Sequence, residues 1–133
     1  MITLSKKEFR QLVKKEFLKF SIDYLKNNSE KNCRKLIDFL QTNKNHYSNN
    51  IISYMPIKYE VDVSLFNNYI LNSAEYKLLV PKIIDSQKIE VFEINKSTKY
   101  ETNKYGILEP SDVLLENKEY KDIELTKKII IIC

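Results

Sequence analysis

Between Ser5 and Leu25 the apolar residues Phe9, Leu12, Val13, Phe17, Phe20 and Tyr24 recur at helical spacing, with Lys and Glu between them. That pattern predicts one amphipathic helix. Asn27, Asn28 and Ser29 interrupt it, and Ser29 offers an N-cap for a second helix carrying Cys33, Leu36, Ile37 and Leu40. The pattern fades from Thr42 to Asn50, an Asn-rich stretch expected to be a loop, with His46 as a surface residue in it.

Ile51 to Met55 is a short apolar run closed by Pro56, the signature of a buried strand. Val63 to Leu71 places Leu65, Phe66, Tyr69 and Ile70 on one helical face, and Lys77 to Val80 reads as a strand ended by Pro81. A strand, a helix and a second strand are most economically arranged as parallel neighbours joined by a right-handed crossover. Lys88 to Ile94 alternates and carries Glu90 and Glu93, which predicts a more exposed or edge strand. Lys96 to Tyr105 is polar and unpatterned, Gly106 permits a turn, and Glu109-Pro110 sets an extended segment. Ser111 to Glu124 reads as loop, and Ile129 to Ile132 as a strand buried on both faces in the middle of a parallel sheet. The expected fold is α/β, three layers around a mostly parallel sheet. A buried strand of this kind normally runs on into a ligand-binding loop and a covering helix, so the sequence is expected to be incomplete at its C-terminal end.

A chain of 133 residues, 43% of them hydrophobic, suits one domain with one core. No apolar run approaches the roughly 20 residues of a membrane span, and the N-terminus lacks the apolar segment of a signal peptide, which points to the cytoplasm and away from membranes. Cys33 and Cys133 have neither metal-ligand spacing nor the density of a disulfide scaffold, and no metal site is assigned. The net charge of +4 is spread along the chain with only Arg10 and Arg34 as arginines, which argues against nucleic acid as a partner. A single glycine, Gly106, leaves no P-loop and no dinucleotide fingerprint.

Taken together, Lys6-Lys7-Glu8-Phe9-Arg10, Ile52 to Pro56, Tyr59-Glu60-Val61-Asp62, Leu78 to Lys82, Lys104 to Pro110 and Lys128 to Ile132 resemble the 5-formyltetrahydrofolate cyclo-ligase (methenyltetrahydrofolate synthetase) family. Lys6-Lys7-Glu8-Phe9-Arg10 is similar to its Lys-x-x-Leu-Arg opening, and Ile52 to Pro56 followed by Tyr59-Glu60-Val61-Asp62 to its first strand and Glu-Val-Asp-Thr sequence, with Val63 in the Thr position. Leu78 to Lys82 resembles the second strand, Lys104 to Pro110 the Phe-Gly-Ile-x-Glu-Pro segment, and Lys128 to Ile132 the strand before the active-site loop. Where the family carries a further basic residue on the first helix, this chain has Glu16. The family's Pro-Gly-x-x-Phe-Asp turn and Arg-Leu-Gly-x-Gly-x-Gly-Tyr-Tyr-Asp stretch have no counterpart.

The resemblance implies ATP- and Mg²⁺-dependent conversion of 5-formyltetrahydrofolate to 5,10-methenyltetrahydrofolate. Lys6 and Arg10 would contact nucleotide phosphates, Glu60 would bind the pterin edge, and Tyr54 or Met55 would wall the folate pocket. It assigns no catalytic residue. Because the stretch that positions the phosphoryl group is missing, the expectation for the lone chain is impaired or absent catalysis, with a homo-oligomer or second chain supplying the missing half. The alternatives are a non-catalytic remnant and an interaction module that pairs through its terminal strand.

Overall fold

The computed structural model describes residues 3–111 and 128–132. Among these residues three helices and six strands follow in the order α1 (Lys6–Phe17), α2 (Ile22–Thr42), β1 (Tyr47–Ile52), α3 (Ser64–Asn72), β2 (Lys77–Asp85), β3 (Lys88–Ile94), β4 (Tyr100–Thr102), β5 (Leu108–Pro110) and β6 (Lys128–Ile131). The main sheet has the order β3-β2-β1-β6, in which β1 pairs parallel with both β2 and β6, and β3 pairs antiparallel with β2. This is an α/β fold with a mixed, mostly parallel sheet. The expected parallel β1-α3-β2 unit and the edge position of β3 are both present.

The core lies between α2, α3 and one face of the sheet. Cys33 and Leu40 meet Val63, Phe66 and Ile70, and these pack on Ile51, Leu78, Val80 and Ile94. Phe66, Ile51 and Ile70 are wholly buried, so each contributes roughly 1.5–3 kcal/mol relative to an exposed position. Among the described residues no helix is long and apolar enough to cross a membrane.

The helices divide differently from the sequence pattern. The first ends at Phe17 rather than near Leu25, and α2 begins at Ile22 and runs unbroken through Asn27, Asn28 and Ser29. Ser21 is the true N-cap, its hydroxyl accepting the Tyr24 N–H at 3.1 Å, with Asp23 in the first turn to meet the helix dipole. Ser29 does not cap because it lies on the inward stripe with Leu25, Cys33 and Leu36, and its hydroxyl instead accepts the Asp62 N–H at 3.1 Å. Helix α1 carries a capping box: Ser5 Oγ accepts the Glu8 N–H, and Glu8 accepts the Ser5 N–H at 2.8 Å.

The strands also correct four expectations. Tyr47 to Asn50 is strand rather than loop, because Tyr47 pairs across to Lys128, a partner distant in sequence; His46 lies in the preceding turn and is exposed, as expected. Strand β2 runs through Pro81 to Asp85. Backbone groups point alternately to the two sides of a strand, and the Leu79 carbonyl faces β1 through its bond to Ser53 N, so Pro81 also faces that side. The register of β1 against β2 stops at Leu79, and a residue without an N–H costs no ladder bond there. Next along, the Ile83 N–H on the same side is taken by the buried Glu109 carboxylate at 2.6 Å.

Glu109 comes from a hairpin the polar sequence hid, β4 against β5, closed by Gly106 at φ 78°. Asn103 Oδ1 accepts the Tyr105 and Ile107 N–H groups inside that turn. Finally, β6 sits on the outer side of β1 in the described sheet, not in its middle, and Ile131 is 61% exposed. A continuous apolar run shows that both strand faces are greasy, not that both are covered. The loop expected over Ser111 to Glu124 lies, apart from Ser111, outside the described residues, as does Cys133.

Candidate functional site

The parallel strands β1 and β6 both end beside a cleft of about 570 Å³. Ile52, Ser53 and Tyr54 enter it from the end of β1, Ile131 and Ile132 from the end of β6, and Pro81 from β2. Ligand sites in open α/β sheets form outside the carboxyl ends of the strands, because the loops there diverge. The far wall is made by Tyr59, Glu60 and Val61 in the loop between β1 and α3, together with Phe17 at the end of α1.

That loop is pinned at three points. Tyr54 donates its hydroxyl to the Val61 carbonyl at 2.7 Å; the Asp62 N–H goes to Ser29, and the Cys33 thiol reaches the Asp62 carbonyl at 3.4 Å. Asp62 Oδ1 accepts the Ser64 N–H at 2.9 Å, so Asp62 supplies the start of α3 with the acceptor that Val63 at the N-cap cannot. Beneath Tyr54, Ser53 is 2% exposed and donates to Asn67 Oδ1 at 2.7 Å, while Asn67 Nδ2 donates to the Tyr54 carbonyl at 3.0 Å. This buried pair fixes the backbone from which Tyr54 projects. Burial pushes the Cys33 thiol up from its ordinary pKa, with the Asp62 charge adding to the effect.

Tyr54 and Glu60 line the same cleft. Glu60 is exposed, and its Oε2 accepts the Ile57 N–H at 3.0 Å, which closes the turn and leaves lone pairs on the carboxylate for a ligand. Met55 does not line the cleft; it is half-buried against the hydrophobic core. Lys6 and Arg10 are exposed on α1, spaced one turn apart, and Lys14 continues the same face a further turn on.

Sequence reasoning missed Tyr59. Its φ is +70°, the left-handed region, although it is a bulky residue. Phe17 meets its ring edge-on at 6.4 Å between centroids, and the Lys14 and Lys58 ammonium groups lie 5.0 and 5.3 Å from the ring centroid. A second cavity of about 610 Å³, reaching to the α1–α2 turn, shares Phe17, Tyr59, Glu60 and Val61 with the first. No local sequence signal marks Tyr59, because a left-handed tyrosine has no motif.

The described residues offer a nucleotide cations but no cradle. Gly106 is the only glycine in the sequence and sits in the β4–β5 turn, and no group of three His, Cys, Asp or Glu suited to a metal ion occurs among the described residues. They do not by themselves fit ATP with Mg²⁺.

The architecture is similar to the NMR structure of 5,10-methenyltetrahydrofolate synthetase from Aquifex aeolicus, with a TM-score of 0.64 and 24% sequence identity, over 84% of this chain and 54% of that one. The fold is that of the cyclo-ligase. The enzyme whose segments the sequence resembles and the enzyme whose structure matches are the same. The chain spans about half the length of the cyclo-ligase structure. No family model and no curated protein sequence matches it.

Proposed function

We propose that the chain is a relative of the 5-formyltetrahydrofolate cyclo-ligases and that the cleft at the ends of β1 and β6 binds the folate. The carrying observation is that Tyr54 and Glu60, singled out by the sequence resemblance, line one cleft in a chain with the cyclo-ligase fold. On this reading Glu60 accepts hydrogen bonds from the amide and amino edge of the pterin, and Tyr54 with Phe17 and Ile52 supplies apolar walls.

The reaction assigned by this reading is closure of 5-formyltetrahydrofolate to 5,10-methenyltetrahydrofolate, dependent on ATP and Mg²⁺, in the cytoplasm. The part taken by the residues described is to hold and orient the folate, with Lys6 and Arg10 as the cations nearest in kind to a phosphate contact. Phosphoryl transfer depends on positioning and electrostatics that these residues do not complete, so the lone chain binds folate with little or no turnover. A homo-oligomer or second chain completing the site would restore it.

Isothermal titration of the purified chain with 5-formyltetrahydrofolate, with and without Mg-ATP, tests this alongside an absorbance assay for the methenyl product. Binding that is weakened about ten-fold by Glu60→Gln supports the reading. No heat of binding with either ligand overturns it, and rapid turnover would overturn the impaired-catalysis part alone.

A further inference from the structure

Two ammonium groups at one aromatic ring make a local excess of positive charge. Lys14 and Lys58 belong to different elements, α1 and the loop after β1, yet both stand within 5.3 Å of the Tyr59 centroid. Neither has a carboxylate partner among the described residues, whose ion pairs use Lys19, Lys44, Lys77, Lys82 and Lys88. Glu60, the next residue in the chain, directs one carboxylate oxygen to the Ile57 N–H, and its single charge is less than that of the two ammonium groups. The ring's negative face holds each cation, but it does not neutralise the pair.

The backbone pays a strain to keep this arrangement. A tyrosine at φ +70° costs on the order of a tenfold population disadvantage, and such outliers collect at ligand sites because the surrounding structure holds them. The loop pins already described, Tyr54 to Val61 and Ser29 to Asp62, provide that hold on the side of the turn that follows Tyr59.

We propose that Lys14 and Lys58, gathered at Tyr59, form an oxyanion-binding site at the rim of the cleft, which reads the carboxylate or phosphate of a ligand whose planar part packs against Tyr59. This rests on the folate reading only for the identity of the planar part. Two oxyanion sources share the chemistry: the glutamate carboxylates of a folate, and the phosphates of a nucleotide. The continuation of the Lys14 face into Arg10 and Lys6 extends the positive strip away from the cleft, so the site accepts more than one anionic group in series.

The test titrates the full chain with 5-formyltetrahydrofolate, with 5-formyl-6-methyltetrahydropterin, which keeps the ring system and carries no carboxylate, and with inorganic triphosphate. Three proteins are compared: the wild type, Lys14→Gln/Lys58→Gln, and the charge-conserving Lys14→Arg/Lys58→Arg. Both lysines are exposed, and circular dichroism with a urea midpoint checks that each variant folds. The expected result is a loss of about ten-fold or more in the Gln variant for an oxyanion-bearing ligand, retained affinity in the Arg variant, and an unchanged affinity for the carboxylate-free pterin. Loss confined to the folate assigns the site to its glutamate, and loss confined to triphosphate assigns it to phosphates. If the wild type binds no folate but triphosphate binding falls in the Gln variant, the folate reading fails and the oxyanion site stands. Folate and triphosphate affinities unchanged in the Gln variant overturn the site while leaving the folate reading intact. A wild type that binds neither overturns both.

Discussion

Tyr54 donates its phenolic hydrogen to the carbonyl of Val61 at 2.7 Å, tying the end of β1 to the far wall of the cleft. One side chain thereby lines the cleft and holds the loop that carries Tyr59 and Glu60. Tyr54→Phe removes the bond while keeping the ring, and a net hydrogen bond is worth about 1 kcal/mol. The expected outcome is an unfolding free energy, from urea denaturation, lowered by about 1 kcal/mol, with a larger proportional loss of 5-formyltetrahydrofolate affinity as the Glu60 loop loosens. Equal affinity in the two proteins would show that the loop does not depend on Tyr54.

Tyr59 sets two effects of opposite sign against each other. Replacing it by glycine relieves a left-handed cost of about 1–2 kcal/mol. The same change adds about 0.5–1 kcal/mol of backbone entropy and removes the Phe17 edge contact, about 0.5–1.5 kcal/mol. It also removes the Lys14 and Lys58 contacts with the ring, about 0.5–1 kcal/mol each, so Tyr59→Gly is expected to lower stability by about 1–2 kcal/mol, while affinity in the cleft falls further than that loss explains. Chemical denaturation and calorimetric titration on the same preparation separate the two. A parallel fall in both would mean that the ring serves packing alone.

Asn67 is 5% exposed and spans Ser53 and the Tyr54 carbonyl. Asn67→Ala leaves the Ser53 hydroxyl and that carbonyl without this partner inside the core. Unpaired buried polar groups cost about 1–3 kcal/mol each, so a destabilisation of about 2–4 kcal/mol is expected by urea denaturation. Ser53→Ala, which removes a donor and keeps the Tyr54 bond, is expected to cost less. The reverse order would place the weight of the network on Ser53.

Burial raises the Cys33 thiol, and this sets a pH dependence. The unfolded thiol ionises near pH 8.5 and the folded one higher, so folding favours the protonated form. The resulting stabilisation is fully present below about pH 8.5 and is lost as the pH rises through the folded value. The stability difference between wild type and Cys33→Ala is therefore expected to shrink from pH 7.5 to pH 10, read as the gap between urea midpoints. A gap that stays constant or widens would remove burial of the thiol as its source.

Local pattern alone determined a good deal. The unit of strand, helix and strand from Ile51 to Val80, the alternating edge strand Lys88 to Ile94, the turn at Gly106 and the extended Glu109-Pro110 are each written in side-chain periodicity or in residues with restricted backbones. Those signals act within a few residues and survive in the folded chain. A resemblance in short segments pointed to Tyr54 and Glu60, and it is the fold that places both at one cleft.

Tertiary structure decided what depends on a partner far along the chain. Ser29 stays helical because its hydroxyl meets Asp62, 33 residues away; Pro81 stays in a strand because β1 has ended beside it, and Glu109 covers the next open N–H. Ile131 is exposed because apolar periodicity reports what a strand face is made of and not what is laid over it. Lys14 and Lys58 meet at Tyr59 through a left-handed turn that no propensity favours, held by the hydrogen bonds and packing around it. Local chemistry acts over a turn or a pleat, whereas burial, edges and strained turns are settled by which distant segments come to lie beside them.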